Sequence, residues 1–600
     1  MSVAFRLLLL IVVAPLVGST PLTGQVATQS PDTFEVEVGS GDALGAARAA
    51  QALFERRRVR LLPLSAEPGG GHCDENVGRF CISYGEGEWF PLEEVPEIVH
   101  LRRTLLASLD SLQGVVLEEG WILGQRVWYR SEAGDWTGAV EAARGCGRVE
   151  RWWCRALEGF SLHGAGRYRE SEAAFAEALR GMDDERAREW RVPRWGLDGT
   201  ARDLLEDAEH DPGAEARLLE RLWRLADPLY LVEGNDRRTA HYARWTVATI
   251  RERARNPFHI RWGPDLDQLT VRHGWEVGWE RTPTRDFTAL DNVVGHKHPE
   301  GRDFLPSGRV VADPVSATPA SLTASRIRPR SLYAPEYAPV LLPMEGQVAF
   351  FPRGQTTWVV ASLFLPEDTT YHVGHLHPLP WMEAGDQEGM ADRIGLFADP
   401  IEGGAPRQTI RSGTTDGALM LEVPTGAYVI SAESWSPTRR RAGRLRRGVA
   451  ARPAPEDVAT LSDILLVRPG RPDPESLEEA VQRALPRAAI RPGESFGIVW
   501  EVVGLGFRPE VLDFELSVRR TDRGVLRRVG EFLGLNERAR PLALSWEEVG
   551  PDRPTHMYRS LNLDLPALEE GVYELRLVMR TLDRSDVVST LAFIVSNESR

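Results

Sequence analysis

Residues 153–180 read WCRALEGFSLHGAGRYRESEAAFAEALR, and the spacing of their apolar positions predicts two amphipathic helices joined by a tight corner. Gly166 lies at the corner, where a glycine readily ends a helix. Three small residues lie where the two helices must approach closely: Gly159, Ser171 and Ala178. Tyr168 and Phe175 supply bulk for a following hairpin to cover. The stretch therefore predicts a helical hairpin as the structural unit of this region.

The same corner occurs earlier in the chain. Ala133-Gly134-Asp135-Trp136 precedes Ala165-Gly166-Arg167-Tyr168 by 32 residues, and an alanine-rich amphipathic helix follows each corner. This offset is near the ~34 residues of a tetratricopeptide repeat, which residues 117–181 resemble. The resemblance implies stacked helical hairpins with a groove that binds a protein or peptide. Candidate groove residues are large and amphipathic: Trp121, Arg126, Tyr129, Trp136 and His163.

A looser resemblance is to the GWxTD-domain proteins, within residues 268–281. Gly274-Trp275-Glu276-Val277-Gly278 begins the motif of that family but lacks its Thr-Asp. This second resemblance implies no reaction and no substrate.

The N-terminal residues indicate export. An apolar run of 11 residues, 7–17, follows Arg6, and as a helix it spans only ~16 Å of a ~30 Å hydrocarbon layer. Residues 1–25 are therefore predicted to be a signal peptide and not a transmembrane segment. Because no cysteine lies near the expected cleavage point, a lipoprotein is not predicted. We expect a periplasmic or extracellular protein of the bacterial cell envelope, with a net charge of −15 that disfavours nucleic acid.

The four cysteines form two pairs of equal spacing, Cys73–Cys81 and Cys146–Cys154. Two local disulfides suit an oxidising compartment. In the chain-entropy model, each closed loop of nine residues stabilises the folded chain by about 2.6 kcal/mol. Cross-pairing is the alternative. A four-cysteine zinc site is disfavoured because paired zinc ligands usually have two to four residues between them, whereas each pair here has seven.

The order of patterns predicts a multidomain α plus β chain, with tetratricopeptide-like helical hairpins followed by two antiparallel β-sandwich domains. The predicted segments are a signal peptide (1–25), an N-terminal segment with a cysteine-stapled loop (26–92), a helical domain (93–255), a tryptophan-rich joint with a long linker (256–335), a first sandwich (336–472) and an immunoglobulin-like second sandwich (485–600).

Three further patterns in the sequence bear on possible chemistry. Gly493-Glu494-Ser495-Phe496-Gly497 matches the Gly-x-Ser-x-Gly pattern of hydrolases, but a strand and not a helix is predicted to follow the serine, so a turn is favoured. Residues 439–447 carry six arginines, which predict a solvated hairpin tip or, alternatively, a clamp for phosphate or an acidic partner. Asp291, His296 and His298 are candidate metal ligands.

These patterns predict a non-enzymatic scaffold or protein-binding protein of the envelope, with no catalytic residues and no cofactor. The alternative is a metal-dependent envelope hydrolase or carbohydrate-active protein that uses residues 286–303. Solvated loop histidines are the simpler interpretation of that segment.

Overall fold

The structure, a computed structural model, describes residues 7–9, 34–36, 42–64, 73–84, 93–282, 292–366, 391–454, 458–505, 509–521, 542–550, 556–581 and 585–597. The chain divides into two compact units, Met1–Trp195 with Arg238–Pro299, and Gly196–Arg237 with Glu300–Arg600. Helices dominate the N-terminal half and mostly antiparallel sheets the C-terminal half. The predicted multidomain α plus β class is therefore confirmed.

The helices occupy these ranges: α1 Ala43–Leu61, α2 Pro96–Val115, α3 Gly120–Glu132, α4 Trp136–Arg144, α5 Arg151–Gly164, α6 Tyr168–Gly181, α7 Asp184–Arg191, α8 Gly199–Asp207, α9 Pro212–Ala226, α10 Asp236–Arg251, α11 Pro264–His273, α12 Gly308–Ala312 and α13 Leu477–Gln482. Short 3₁₀ turns lie at Arg194–Gly196, Pro314–Ser316 and Pro319–Leu322.

The strands occupy these ranges: β1 Leu7–Leu9, β2 Phe34–Val36, β3 Glu75–Val77, β4 Phe80–Ile82, β5 Gly278–Thr282, β6 Asn292–His296, β7 Val340–Pro343, β8 Glu345–Arg353, β9 Thr356–Phe364, β10 Arg393–Pro400, β11 Arg407–Ser412, β12 Gly417–Pro424, β13 Gly426–Ser436, β14 Arg441–Ala451, β15 Thr460–Leu461, β16 Leu465–Val467, β17 Ala489–Ile490, β18 Phe496–Val503, β19 Val511–Arg520, β20 Leu542–Val549, β21 His556–Leu563, β22 Gly571–Thr581 and β23 Val587–Val595.

The two helix corners predicted to match have the same backbone geometry. Gly134 and Gly166 have φ values of 75° and 72°, a region that favours glycine. At the first corner the Asp135 amide donates to the Arg130 carbonyl, and at the second the Arg167 amide donates to the Leu162 carbonyl, each at 2.9 Å. These hydrogen bonds between residues five positions apart pair carbonyls that a helix end would otherwise leave without a donor. Glycine at each corner therefore lets the chain reverse between helices.

Helices α5 and α6 approach each other at the predicted small residues. The Ser171 hydroxyl donates to the Gly159 carbonyl at 2.7 Å, which joins the two helices directly. Phe175 is fully buried, and a Cβ atom added to Gly159 would lie 2.9 Å from its ring. Ala178 is also fully buried. The spacing read from residues 153–180 therefore corresponds to a closely packed helix pair.

Gly159→Ala is expected to lower the free energy of unfolding by up to about 2 kcal/mol. Overpacking of a buried site costs about 1 to 3 kcal/mol, and the gain in helix propensity offsets about 1 kcal/mol of it. Gly114→Ala in α2 is the matched control, because nothing lies within 4 Å of an added Cβ there. Calorimetric unfolding of both variants checks this; equal stability changes would contradict the close approach.

Both predicted disulfides are present, Cys73–Cys81 and Cys146–Cys154. The first links Cys73, two residues before β3, to Cys81 in β4, and β3 and β4 form a two-stranded antiparallel hairpin. The second connects the turn after α4 to the first turns of α5. The predicted local pairing is therefore confirmed, and one bridge lies where two successive hairpins meet.

Within its described residues, the second unit contains two pairs of sheets. In one pair, the strand order is β11-β10-β13-β14-β7 in the first sheet and β12-β9-β8 in the second. The inward side chains of these two sheets share a core that includes Val359, Ile394 and Ile430. In the other pair, β15, β16 and β21 flank β18, and the second sheet orders as β17-β23-β22-β19-β20. Trp500 and Phe514 join these two sheets in one core.

Two segments differ in their partners from the predicted division of the chain. Leu465–Val467 pairs with β18, although its position predicted a strand of the first sandwich. Residues 196–237 belong to the second unit although they lie inside the predicted helical domain. The Asp198 carboxylate accepts from the Gly308 amide at 3.1 Å, which ties α8 to α12. These long-range contacts have no local sequence signal.

Little of the predicted signal peptide falls within the described residues. Leu7–Leu9 pairs antiparallel with Phe34–Val36, and the rest of residues 1–25 lies outside them. Among the described helices, none combines the length and apolar character that crossing a bilayer requires.

Candidate functional site

Tyr129 and His163, two predicted groove residues, are buried inside the helical unit. The Tyr129 hydroxyl donates to Glu55 Oε1 at 2.6 Å and accepts from Gln51 Nε2 at 2.9 Å. The His163 Nδ1 atom lies 2.9 Å from Thr239 Oγ1, and its ring packs on Tyr168 with centroids 5.4 Å apart. Both side chains therefore serve contacts within the chain.

The other three predicted groove residues are half-buried and also have internal contacts. The Trp136 ring lies 5.6 Å from that of Phe160, centroid to centroid. Arg126 forms an ion pair with Asp110 at 2.7 Å, and the Arg48 guanidinium lies 5.7 Å from the Trp121 ring centroid. The structure does not bring these three together with Tyr129 and His163 on one open face. Whether any of them touches a partner stays a prediction.

An open groove lies instead between α1 and α2, with a volume of about 560 Å³. Its walls come from the C-terminal turns of α1 and the N-terminal turns of α2. The lining residues are Arg57, Arg60, Leu61, Pro96, Glu97, His100 and Leu101. Leu61 and Leu101 are half-buried and form its apolar floor against the helical core.

Two arginines on the α1 wall carry charge without an internal partner. Arg57 and Arg60 are exposed. Within the described part of the chain, neither guanidinium forms a hydrogen bond or an ion pair. Arg58, between them, points the other way and pairs with Glu132 at 3.0 Å. The groove therefore presents two free positive charges in a chain whose net charge is −15.

A buried polar network beneath the groove joins α1, α2 and α3. Arg58 pairs with Glu132 at 3.0 Å and lies 3.6 Å from Glu55, and Arg102 lies 3.6 Å from Glu132. Burial raises the pKa of Glu55 to about 7 although Arg58 opposes the shift. Burial also favours the neutral form of Glu132, but Arg58 and Arg102 together hold its pKa below the usual range. Each helix thus contributes charge to one network, which joins α1 and α2 through Glu132 of α3.

The glycine-tryptophan stretch at 274–278 is used for packing and for a second buried ion cluster. Gly274 ends α11 with a φ of 83°, and the Trp275 ring packs on Phe160 at 5.6 Å. The Glu276 carboxylate contacts Arg251 at 2.6 Å and Lys297 at 2.7 Å. The Lys297 ammonium also donates to the Gly274 carbonyl at 2.6 Å. This lysine, the single one in the sequence, is therefore held by internal contacts.

The three candidate metal ligands are not assembled into a described site. His296 Nε2 lies 3.2 Å from Glu280 Oε2, and burial lowers the pKa of His296 although Glu280 opposes the shift. His298 is half-buried, while Asp291 lies outside the described residues. In the described ranges there is no cluster of three or more histidine, cysteine or acidic side chains suited to a metal ion. A second group of histidines in the sequence, His372, His375 and His377, also lies outside those ranges.

The arginine run at 439–447 is mainly a strand and not a solvated tip. Arg439 is exposed, but β14 begins at Arg441, and both Arg444 and Arg446 turn inward. Arg446 donates to the Asp227 carbonyl at 2.6 Å, and Arg444 donates to the same oxygen at 2.7 Å. Burial, reinforced by Arg446, lowers the pKa of Arg444 to about 9. Neither inward-facing arginine is available to a phosphate, since both cover the C-terminal end of α9.

The Gly-x-Ser-x-Gly stretch leads into a strand as predicted. Gly493 has a φ of 74°, and β18 begins at Phe496 directly after Ser495. The Ser495 hydroxyl donates to Asp564, an exposed carboxylate. The strand–serine–helix arrangement of a nucleophile elbow is therefore absent from these described residues.

The sequence patterns do not single out the groove residues, although α1 carries one weak signal for them. Leu53, Arg57 and Leu61 recur every four residues, as expected of one helix face. Residues 42–58, which are rich in alanine and leucine, predict a helix, whereas α1 continues to Leu61. The α2 wall is 35 residues beyond the end of α1, so no local pattern connects the two walls.

Comparisons with known proteins give no family. No protein-family model and no curated protein matches the sequence. Among solved structures, a red sea bream transglutaminase matches 42% of this chain and 32% of its own at 9% identity with a TM-score of 0.14. A putative membrane anchored protein from Corynebacterium diphtheriae matches 42% of this chain and 57% of its own at 13% identity and 0.13. A Salmonella alpha-2-macroglobulin reacted with methylamine matches 42% of this chain and 16% of its own at 11% identity with a TM-score of 0.14. Each match spans less than two thirds of the solved chain.

Proposed function

We propose that this chain is an exported, non-enzymatic protein of the bacterial cell envelope that binds a protein partner through its helical unit. In this proposal the hairpins of α3 to α6 form a tetratricopeptide-like array, and the paired sheets of the second unit act as β-sandwich spacers or further adhesion surfaces. Two disulfides are compatible with an oxidising, extracytoplasmic location. The periplasm or the cell exterior, without a lipid anchor, is the proposed location.

One observation carries the proposal, namely the open groove of about 560 Å³ between α1 and α2. Its floor is apolar, and its walls include two arginines without an internal partner. An apolar recess with a polar rim is typical of a binding surface. The buried network of Arg58, Arg102 and Glu132 joins the two walls, so we expect little ordering to be lost when a partner binds.

Crosslinking from the groove tests the proposal. A photo-reactive benzoylphenylalanine replaces Leu101 in the full chain, which is produced in its bacterial host and irradiated. We expect a discrete adduct with a second polypeptide, identified by mass spectrometry, that Arg57→Glu with Arg60→Glu abolishes. The matched control places the same residue at Arg103, which is exposed on another face of α2. Equal adducts from both positions, or none from Leu101, would reject the groove as the binding surface.

Metal content separates this function from a metal-dependent hydrolase. We expect the chain, purified without chelator, to carry no stoichiometric divalent metal, because the described residues bring no three histidine, cysteine or acidic side chains together for a metal ion. Elemental analysis of the parent chain and of His296→Ala checks this. One equivalent of zinc that disappears in His296→Ala would favour the hydrolase instead.

A further inference from the structure

The α1 wall of the groove belongs to a longer face of that helix. Helical spacing places Ala46, Ala50, Leu53, Arg57 and Leu61 on one face of α1. Ala46, Ala50 and Leu61 are half-buried, and Leu53 is 44% exposed. Of these residues, Arg57 and Leu61 line the groove, and the face as a whole is ~22 Å long, which is about four turns of an α-helix. Small side chains along it permit the close approach that helix packing requires.

An extended peptide would gain little from the same groove. Both walls are helices, whose backbone amides and carbonyls are bonded within the helix away from the ends. A bound strand would therefore find few backbone donors and acceptors, which are the main source of affinity when a strand is added to a sheet edge. Side-chain packing dominates here, and an amphipathic helix supplies the most apolar side chains to one groove.

The charges of the groove favour a partner that carries negative charge. Arg57 and Arg60 have no internal acceptor in the described residues, whereas Glu97 and His100 lie on the opposite wall. Carboxylates on the α1 side of a bound helix would form charge-assisted hydrogen bonds with the two guanidiniums. A basic helix would instead bring like charges together.

We infer that the groove between α1 and α2 binds an acidic amphipathic helix of a partner protein, with apolar side chains on Leu61 and Leu101 and carboxylates on Arg57 and Arg60. This inference rests on the proposed function and specifies the chemistry of the partner. A helix of this kind offers apolar residues at positions i, i+3, i+4 and i+7 and glutamates along one flank.

Two synthetic peptides of 18 residues test the inference by fluorescence anisotropy with the full chain. Both carry the same leucine stripe; one has glutamates on one flank, and the other has lysines there. We expect the acidic peptide to bind at least about tenfold more tightly, as two charge-assisted contacts allow. Arg57→Glu with Arg60→Glu should remove this preference. Leu101→Glu should weaken binding of the acidic peptide by a similar factor.

The matched control is Arg56→Glu with Arg103→Glu, which makes the same change of net charge at exposed positions outside the groove lining. We expect this variant to bind the acidic peptide with a Kd within twofold of the parent chain. Equal loss in both double variants would mean that general charge and not the groove drives binding, and would overturn the inference.

Three other results would also overturn it: equal affinities for the two peptides, no binding of either, or a dimer of this chain that Arg57→Glu with Arg60→Glu dissociates. The last result would make a second copy the occupant. If crosslinking from Leu101 still captures a partner while the acidic peptide fails to bind, the proposed function stands and only the partner chemistry is wrong. If both experiments fail, the proposed function is rejected as well.

Discussion

Glu276→Ala is expected to lower the free energy of unfolding by about 3 to 5 kcal/mol, because it leaves two buried cations without their shared carboxylate. Glu276 contacts Arg251 at 2.6 Å and Lys297 at 2.7 Å. The Arg251 guanidinium also lies 4.4 Å from the Trp128 ring centroid, so the cluster reaches α3 as well. Calorimetric unfolding measures the loss, and hydrogen exchange of residues 264–297 locates it.

Lys297→Met is the matched control for this cluster. It removes one cation but leaves the pair of Arg251 and Glu276 intact, so we expect a loss well below that of Glu276→Ala. A loss equal to or above it would show that Lys297, and not the carboxylate, is the central member of the cluster.

Lowering the pH should destabilise the folded chain by protonating the Glu276 carboxylate. Burial opposes ionisation of Glu276, but Lys297 and Arg251 outweigh it and lower its pKa from 4.5 to about 2. A lowered folded pKa stabilises the folded chain above the unfolded pKa. We therefore expect the contribution of Glu276 to be lost as the pH falls from about 4.5 to about 2. In Glu276→Ala this part of the acid dependence should be missing.

Glu433→Ala is expected to cost about 3 to 5 kcal/mol in the second unit, again because it strands a buried cation. The side chains of Glu433 and Arg446 are both fully buried, with the ion pair at 2.9 Å. The Glu433 carboxylate also accepts from the Leu231 amide at 3.0 Å, so its loss leaves a buried donor unpaired. Hydrogen exchange should increase in residues 225–231 and 426–451, while α1 to α6 keep their protection.

A double variant tests the reason for this loss. Glu433→Leu with Arg446→Met replaces the pair by apolar side chains of similar size, and such replacements are often close to neutral. We expect it to recover most of the stability that Glu433→Ala loses. Equal loss in the two variants would show that the other hydrogen bonds of Arg446, and not the uncompensated charge, dominate.

Local features of the helical hairpins were predictable from the sequence. Glycine at the corners, small residues in α5 and α6, and paired cysteines each have a physical cause within a few neighbouring residues. Residues 587–595 likewise predict a strand, and β23 has these bounds. Elements of this kind are set by turn chemistry and apolar periodicity, both of which a single sequence displays.

Features set by distant partners were not predictable. The arginine run at 439–447 looks solvated as a sequence, yet Arg446 reaches a carbonyl 219 positions away. Tyr129 looks like an interface residue, but Glu55 and Gln51 enclose it from a helix 74 or more positions earlier. The groove itself requires α1 and α2 to meet across an intervening hairpin. Burial of a polar side chain depends on such partners, and composition does not identify them.

The interleaved assignment of the chain has a consequence for biosynthesis. Because residues 196–237 belong with 300–600, the polypeptide passes between the two units at three separate positions. A single proteolytic cut at any one of these connections would leave the halves covalently tethered by the other two. During synthesis from the N terminus, the first unit remains incomplete until residue 299 has been added. Throughout that interval, residues 196–237 lack the rest of the second unit, residues 300–600, against which they pack in the folded chain.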